Sequence, residues 1–448
     1  MDDRSAAKGK ALLSFAVDLG VDSAEVYLRS ALSTTVEVKD QAVEAFDRAR
    51  EVGAGLRVFA EGRSGFAFST DLSDKALHQL ADAAVTNARS TDPDPFLALP
   101  DVFPPTHKNL NIFDPVLAAL DDQEKIARVM AMEREAFGVD PRIRRIRKAS
   151  ARFSSSMTVL MSTSGANVEY RGTAGYASME AVAEADGESQ AGWEFDAHRF
   201  YDRLNIEEVG RKAAQHALDL LGARSIPSVK APVVLDPLTG GELLSLLVSG
   251  LSAENVQKKK SLLAGKLGQI VISPLLTVYD DGLLDAGFGT APCDDEGVPV
   301  RTKKVIDGGR LAMFLYNSYT ARTEGTSSTG NGIRAGFRGV PGVGVTNCYI
   351  EPGKGSCQDL VRDTEKGLYV IELLGAHTAN PVSGDFSVGA TGFWIEKGRI
   401  VHPVREVTLA GNILELMQNV DAVGGDLRFS GRIGSPSLRV KELSIGGK

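Results

Sequence analysis

The chain has 448 residues, 43% hydrophobic and 24% charged, with a formal net charge of −8. Its length points to two or three domains rather than one core. The acidic balance argues against a general nucleic-acid surface, since no excess of Lys and Arg exists to neutralise phosphates, and three cysteines (Cys293, Cys348, Cys357) with no CxxC among them argue for a reducing compartment.

The N-terminus, MDDRSAAKGK, starts acidic and has no apolar region behind it, so it does not read as a signal peptide. Helix-spaced Ala7, Leu12, Leu13, Phe15, Ala16 and Leu19, stopped by Gly20, predict an opening helix. Short β-patterned runs follow at 24–29, 34–39, 52–60 and 64–69, the last two joined through Glu61-Gly62. A helix with Leu77, Leu80, Ala81, Ala84 and Val85 inside starts behind an N-cap region at residues 71–74. Prolines crowd residues 93–105, which marks a linker over 91–114.

A second unit repeats the order. A helix covers 121–137. Strands are expected at 143–153, 157–162, 166–170, 177–185 and 191–196, with turns at Ser164-Gly165 and Asp186-Gly187, and a helix over 206–221 closes the unit. The basic run 142–148 has its charges interleaved with apolar residues and reads as a strand with one solvated face. After Pro227 and Pro232 the chain becomes rich in glycine and short strands, with a mostly helical stretch at 238–260. The expected fold class is α+β: two small hairpin-plus-helix units followed by a β-rich C-terminal domain. The expected domains are 1–90, the Pro-rich linker 91–114, 115–224 and 225–448. No apolar run approaches the roughly 18 residues that span a bilayer, so no membrane partner is expected and the expected setting is the cytoplasm.

No HExxH and no GxSxG is present, and the six histidines are scattered. The loop Gly375-Ala-His377-Thr-Ala-Asn380-Pro-Val-Ser-Gly384-Asp385 combines polar side chains with Gly and Pro. His377, Asn380 and Asp385 are its candidate substrate-binding residues, His377 and Asp385 its candidates for catalysis by another mechanism. The bland reading is a structural turn in which His377 bonds backbone.

Five motifs stand in order in the C-terminal half: Val278-Tyr-Asp280-Asp-Gly282; Asp294-Asp-Glu-Gly-Val-Pro299; Thr329-Gly-Asn-Gly332 with Arg334; Asn380-Pro-Val-Ser-Gly-Asp385; and Ser437-Leu-Arg-Val440 followed by Ile445-Gly-Gly447. Together they resemble the TldD/PmbA family. The resemblance implies intracellular zinc-dependent peptidases acting on unfolded peptides. In them a TldD-type chain carries HExxxH on a helix early in the C-terminal domain and a cysteine ligand near the C-terminus, and it pairs with a TldE (PmbA)-type subunit. Laid on the helix after Pro237, the HExxxH positions fall on Leu244, Ser245 and Ser249, and residues 428–437 hold no cysteine. Leucine has no donor atom and serine is a poor substitute for imidazole.

The chain therefore resembles a TldE/PmbA-type subunit without catalytic residues, metal ligands or a cofactor of its own, with zinc expected in a TldD-type partner. The alternative is a homodimeric peptide-binding protein with no proteolytic activity. The helix itself, apolar nearly all round with a stripe of Ser245, Ser249 and Ser252, is expected to be buried.

Overall fold

The computed structural model describes residues 4–101 and 110–448. Met1–Asp3, and Pro104, Pro105 and His107 of the expected linker, lie outside the described residues.

The N-terminal half is built on one antiparallel sheet. Helix α1 (Arg4–Asp18) precedes strands β1 (Ser23–Lys39), β2 (Ala42–Ala60) and β3 (Arg63–Ser69), then α2 (Asp74–Arg89). After α3 (Pro115–Ala119), α4 (Asp122–Val139) leads into β4 (Ile143–Ser162), β5 (Asn167–Ala185), β6 (Glu188–His198) and α5 (Ile206–Asp219). The strand order is β3-β2-β1-β4-β5-β6, so the two helix–hairpin–helix units meet at β1 and β4, paired antiparallel from Glu25↔Ser162 to Val38↔Ala149. On β1 and β4 the side chains of Val26, Leu28, Val36, Val38, Ala149, Phe153, Val159 and Met161 all enter the two cores under the helices. The other face, with Tyr27, turns toward Cys293 and Phe337 of the C-terminal domain.

The strands are longer than the sequence pattern suggested. The runs 24–29 and 34–39 are one strand of 17 residues, 143–153 and 157–162 one of 20, and 166–170 and 177–185 one of 19. Serines and threonines hid the continuity. Ser30, Thr34 and Ser155 are buried inside the ladder, where backbone pairing continues regardless of side-chain polarity. The basic run is strand, as its alternating chemistry implied, but with register shifts near Ile143 and Ile146. These place Ile143, Ile146 and Ala149 inward at intervals of three. The charges between them pair outward, Arg147 with Glu180 at 2.7 Å and Lys148 with Glu37 at 2.8 Å. The β1–β2 turn was not expected: Asp40 and Gln41 both take positive φ, 52° and 56°, and buried Glu133 accepts both their backbone N–H groups.

The C-terminal domain has two larger sheets around one core. The first contains β7 (Val229–Leu235), β14 (Lys366–Leu374), β15 (Asp385–Glu396), β16 (Arg399–Asn412), β17 (Val420–Val423) and β20 (Leu438–Gly446), ordered β16-β15-β14-β7-β20-β17; β16 also pairs with β20, which closes a five-stranded ring. The second runs β10 (Arg310–Leu311), β9 (Thr302–Asp307), β8 (Val278–Asp281), β13 (Cys348–Ile350), β19 (Ile433–Ser435) and β18 (Arg428–Ser430). A small ribbon pairs β11 (Gly332–Ile333) with β12 (Gly342–Val343). Helix α6 (Pro237–Gly250) packs against β14, β18 and β19, and the shorter α7 (Ala253–Gln257), α8 (Ser318–Thr323), α9 (Cys357–Arg362) and α10 (Ile413–Gln418) fill the rest. The architecture is mixed α+β with a β-rich C-terminal part. Among the described residues no helix is long and apolar enough to cross a membrane.

Candidate functional site

Helix α6 starts where the sequence demands. Asp236 accepts the Leu238 N–H at 2.9 Å, and Pro237 occupies the first helical position, where its missing N–H costs nothing. Leu243, Leu244 and Leu247 are buried, Glu242 and Ser245 exposed, and Ser249 half-buried. The helix is thus covered on one side and open on the other, not buried all round as its composition suggested. Its serines face away from the densest packing and satisfy themselves locally. Ser245 Oγ donates to Glu242 O at 2.6 Å and Ser249 Oγ to Leu246 O at 3.0 Å.

These side chains do not fit a zinc ion. Leu244, at the first ligand position, is fully buried and offers no donor. The segment 428–437 does lie on α6, so closely that a Cβ on Gly240 would sit 2.7 Å from Ser435 Oγ. Its hydroxyls are committed elsewhere. Ser435 Oγ donates to Pro436 O at 2.7 Å and Ser437 Oγ to Asp426 at 2.6 Å. Among the described residues no group of three or more His, Cys, Asp or Glu stands together as a metal site. The three cysteines are buried free thiols, and burial pushes each thiol up.

The loop at 375–385 reaches the C-terminal end of α6, with Pro381 O 3.5 Å from Ser249 Oγ. Its polar groups build the loop. Asn380 Oδ1 accepts the N–H groups of Val382 and Ser383 at 2.9 and 3.2 Å, and Asp385 accepts from Asn412 Nδ2 at 2.9 Å. Hydrogen bonds from Asn412 and Ser383 hold the Asp385 carboxyl below its usual range. His377 is exposed in a short turn, and among the described residues its side chain has no backbone partner of the kind the bland reading expected. No His377–Asp385 pair forms among the described residues.

A cavity of about 480 Å³ lies against the other end of α6, between the two halves of the protein. Trp193, Glu194 and His216 form one wall, and Glu242, Glu372 and Arg428 the other. Desolvation within the cavity raises the Glu242 carboxyl, solvent-accessible though the residue remains, helped by Glu372. Burial also raises that of Glu372, helped by Glu180 and opposed by His216. His216 Nδ1 lies 3.0 Å from Trp193 O, and Arg428 donates to Phe195 O at 2.6 Å and pairs with Glu194. These contacts cap the carbonyls of the outer strand β6. Nothing in the sequence linked these residues, which come from five distant elements.

The motifs that carry the family resemblance form buried polar joints. Asp280 accepts from Thr346 N at 2.6 Å and Asn331 Nδ2 at 2.8 Å and pairs with Lys303 at 2.9 Å; Lys303 in turn donates to Thr329 O and Asn331 Oδ1. Asp294 accepts the N–H groups of Glu296, Val298 and Gly332. Glu296 accepts from Ser318 N at 2.7 Å and from Arg57 of the N-terminal sheet at 3.2 Å, and Arg334 crosses to Glu25.

The same architecture recurs in known proteins. Family models described as PmbA/TldA metallopeptidase domain 1, central domain and C-terminal domain match residues 24–88, 115–221 and 228–447. The chain belongs to the TldD/PmbA metallopeptidase family. It is 30% identical over 430 residues to metalloprotease PmbA of Escherichia coli O157:H7, covering 95% of this chain and 93% of the relative. It is 28% identical over 462 residues to the metalloprotease TldD homolog of Haemophilus influenzae, with coverage of 95% and 93%. The crystal structure of TldE from Thermococcus kodakarensis superposes with a TM-score of 0.91 over 98% of this chain and all of that one, at 24% identity, and so speaks to fold.

Proposed function

We propose that the chain is the TldE/PmbA-type subunit of a TldD/TldE-type zinc metallopeptidase acting on unfolded peptides, in peptide maturation or degradation, and that zinc and general base come from a TldD-type partner. The reading rests above all on Leu244, a donor-free and fully buried side chain at the first HExxxH position. Ser245 and Ser249, with hydroxyls turned to the helix's own carbonyls, support it. The cytoplasm is the proposed setting. Substrates of such an assembly bind extended, through backbone hydrogen bonds that tolerate many side chains and demand an unfolded chain.

Mixing tests the proposal. Zinc content and peptide cleavage are measured for this chain alone, for a TldD-type chain carrying HExxxH, and for the two together. The expected result is neither zinc nor cleavage for this chain alone, and cleavage by the mixture. Tight stoichiometric zinc on this chain alone would overturn it. A stable homodimer that captures peptides and ignores the TldD-type chain would favour the peptide-binding alternative.

A further inference from the structure

A second cavity, of about 220 Å³, lies between the exposed face of the N-terminal sheet and the C-terminal domain. Its floor runs across three strands: Arg29 on β1 stands opposite Thr158 on β4, and Thr158 opposite Tyr170 on β5. Its roof comes from residues around 288–295, with Arg432 at the rim.

The charges around it do not balance. Arg199 is only 8% exposed, and its guanidinium donates to four carbonyls: Gly287 O at 2.9 Å, Phe288 O at 3.0 Å, Ile112 O at 3.2 Å and Thr173 O at 3.3 Å. Burial pulls it down to about 10, and no carboxylate is among the charges that act on it. Arg29 Nε is buried without a hydrogen-bond partner. Arg432, exposed at the rim, donates to Val345 O at 3.3 Å. Among the described residues none of these three guanidinium groups forms an ion pair within 4.0 Å. Arg334 also lines the cavity but is neutralised by Glu25.

Two carboxyl groups stand on the same wall and do not supply the missing charge at contact distance. Asp294 is occupied by three backbone N–H groups; Asp295 accepts from Arg334 N at 2.8 Å and feels Arg432 and Arg29 from beyond pairing distance; burial raises both carboxyls. Buried cations are ordinarily paired, because desolvation without a counter-charge is costly. A planar guanidinium presents its donors in a fork that matches an oxyanion. Hydroxyls of Ser156 and Thr158 line the same space and can donate to further oxygens.

We propose that this cavity binds a small oxyanion, a phosphate or carboxylate group, held by Arg29 and Arg432 in the field of Arg199. The occupant would touch both halves of the protein at once and so fasten the sheet to the C-terminal domain.

The test is titration of the full chain with inorganic phosphate and, separately, acetate, at constant ionic strength set by chloride. Binding is read by calorimetry and by the rise in Tm. Saturable binding of at least one anion is expected. Arg29→Gln and Arg432→Gln should each weaken it about tenfold, the factor that one charge-assisted hydrogen bond carries. Arg48→Gln, on an exposed pair with Asp122, should leave it unchanged. Preference for phosphate assigns a phosphoryl ligand, and preference for acetate a carboxylate such as a peptide's. No saturable binding of either anion, or equal affinity in wild type and Arg432→Gln, overturns the proposal. Arg432 is exposed, so its variant carries the test even if Arg29→Gln does not fold.

Discussion

Replacing Glu25 by alanine should loosen the joint between the two halves of the protein. Glu25 is fully buried on β1 and sits between two cations, Arg334 from the C-terminal domain and Arg57 at 3.2 Å from β2. Arg57 also reaches Glu296 at 3.2 Å, so four charges alternate in sign across the interface. Without Glu25, Arg334 keeps only carbonyl acceptors, Asp295 O at 3.0 Å and Gly339 O at 3.4 Å, and a buried guanidinium is left without its carboxylate. Removing one partner of a buried pair costs roughly 3–5 kcal/mol, most of it the penalty of the stranded charge. The double variant Glu25→Ala with Arg334→Met removes both charges and should recover part of that loss, a coupling of at least about 1 kcal/mol. Urea unfolding of the wild type, the two single variants and the double variant measures both quantities. A cost below about 1 kcal/mol for Glu25→Ala, or strict additivity in the cycle, would refute the view of this network as a structural joint.

Gly55→Ala would set a Cβ 2.4 Å from Phe337 O, on backbone that cannot swing aside, and should cost about 1–3 kcal/mol, seen as a lowered Tm. The carboxyl groups of Glu242 and Glu372 are raised in the folded state, so it prefers them protonated. Their effect on stability is least adverse below the unfolded value near pH ~4.3 and worsens as pH rises through the raised folded values. Glu372→Gln should therefore raise Tm at pH 8 more than at pH 4, and an equal gain at both would count against the assignment. Grafting the missing motif, Leu244→His with Ser245→Glu and Ser249→His, should bind no zinc in equilibrium dialysis. It should also cost at least about 2 kcal/mol of stability, because the imidazole at 244 enters a dry core that leucine now fills.

Much of the fold was legible because hydrophobic periodicity and turn chemistry agreed. Glu61-Gly62 and Asp186-Gly187 both take the paired positive φ of tight hairpin turns. The break between 153 and 157 was misread because Ser154, Ser155 and Ser156 look like a loop until the partners on β1 and β5 are known. The turn at Asp40-Gln41 escaped notice because its support comes from Glu133, 92 residues away from Gln41. The position of α6 and its residues could be read, since a cap, a proline and an apolar run mark it. Its half-exposed setting could not, because that depends on how the N-terminal sheet stands beside the helix. The cavity at Trp193, Glu242 and Glu372 had no sequence signal at all, since no local spacing joins its walls.

The placement of the five motifs shows what the family resemblance reports on. Asp280, Asp294, Glu296, Asn331 and Arg334 lie in buried joints that fix the C-terminal domain and dock it on the N-terminal sheet, away from α6. Asn380 and Asp385 shape a loop against the end of that helix. A chain that keeps these residues keeps the architecture, because each joint satisfies charges that would otherwise be stranded in the interior. None of them constrains what stands at 244, 245 and 249. The helix needs apolar groups on its covered side and helix-compatible groups on its open side, and Leu, Ser and Ser meet that demand. Resemblance therefore reports on the scaffold, and the chemistry has to be read from α6 and from the strand pair that lies across it.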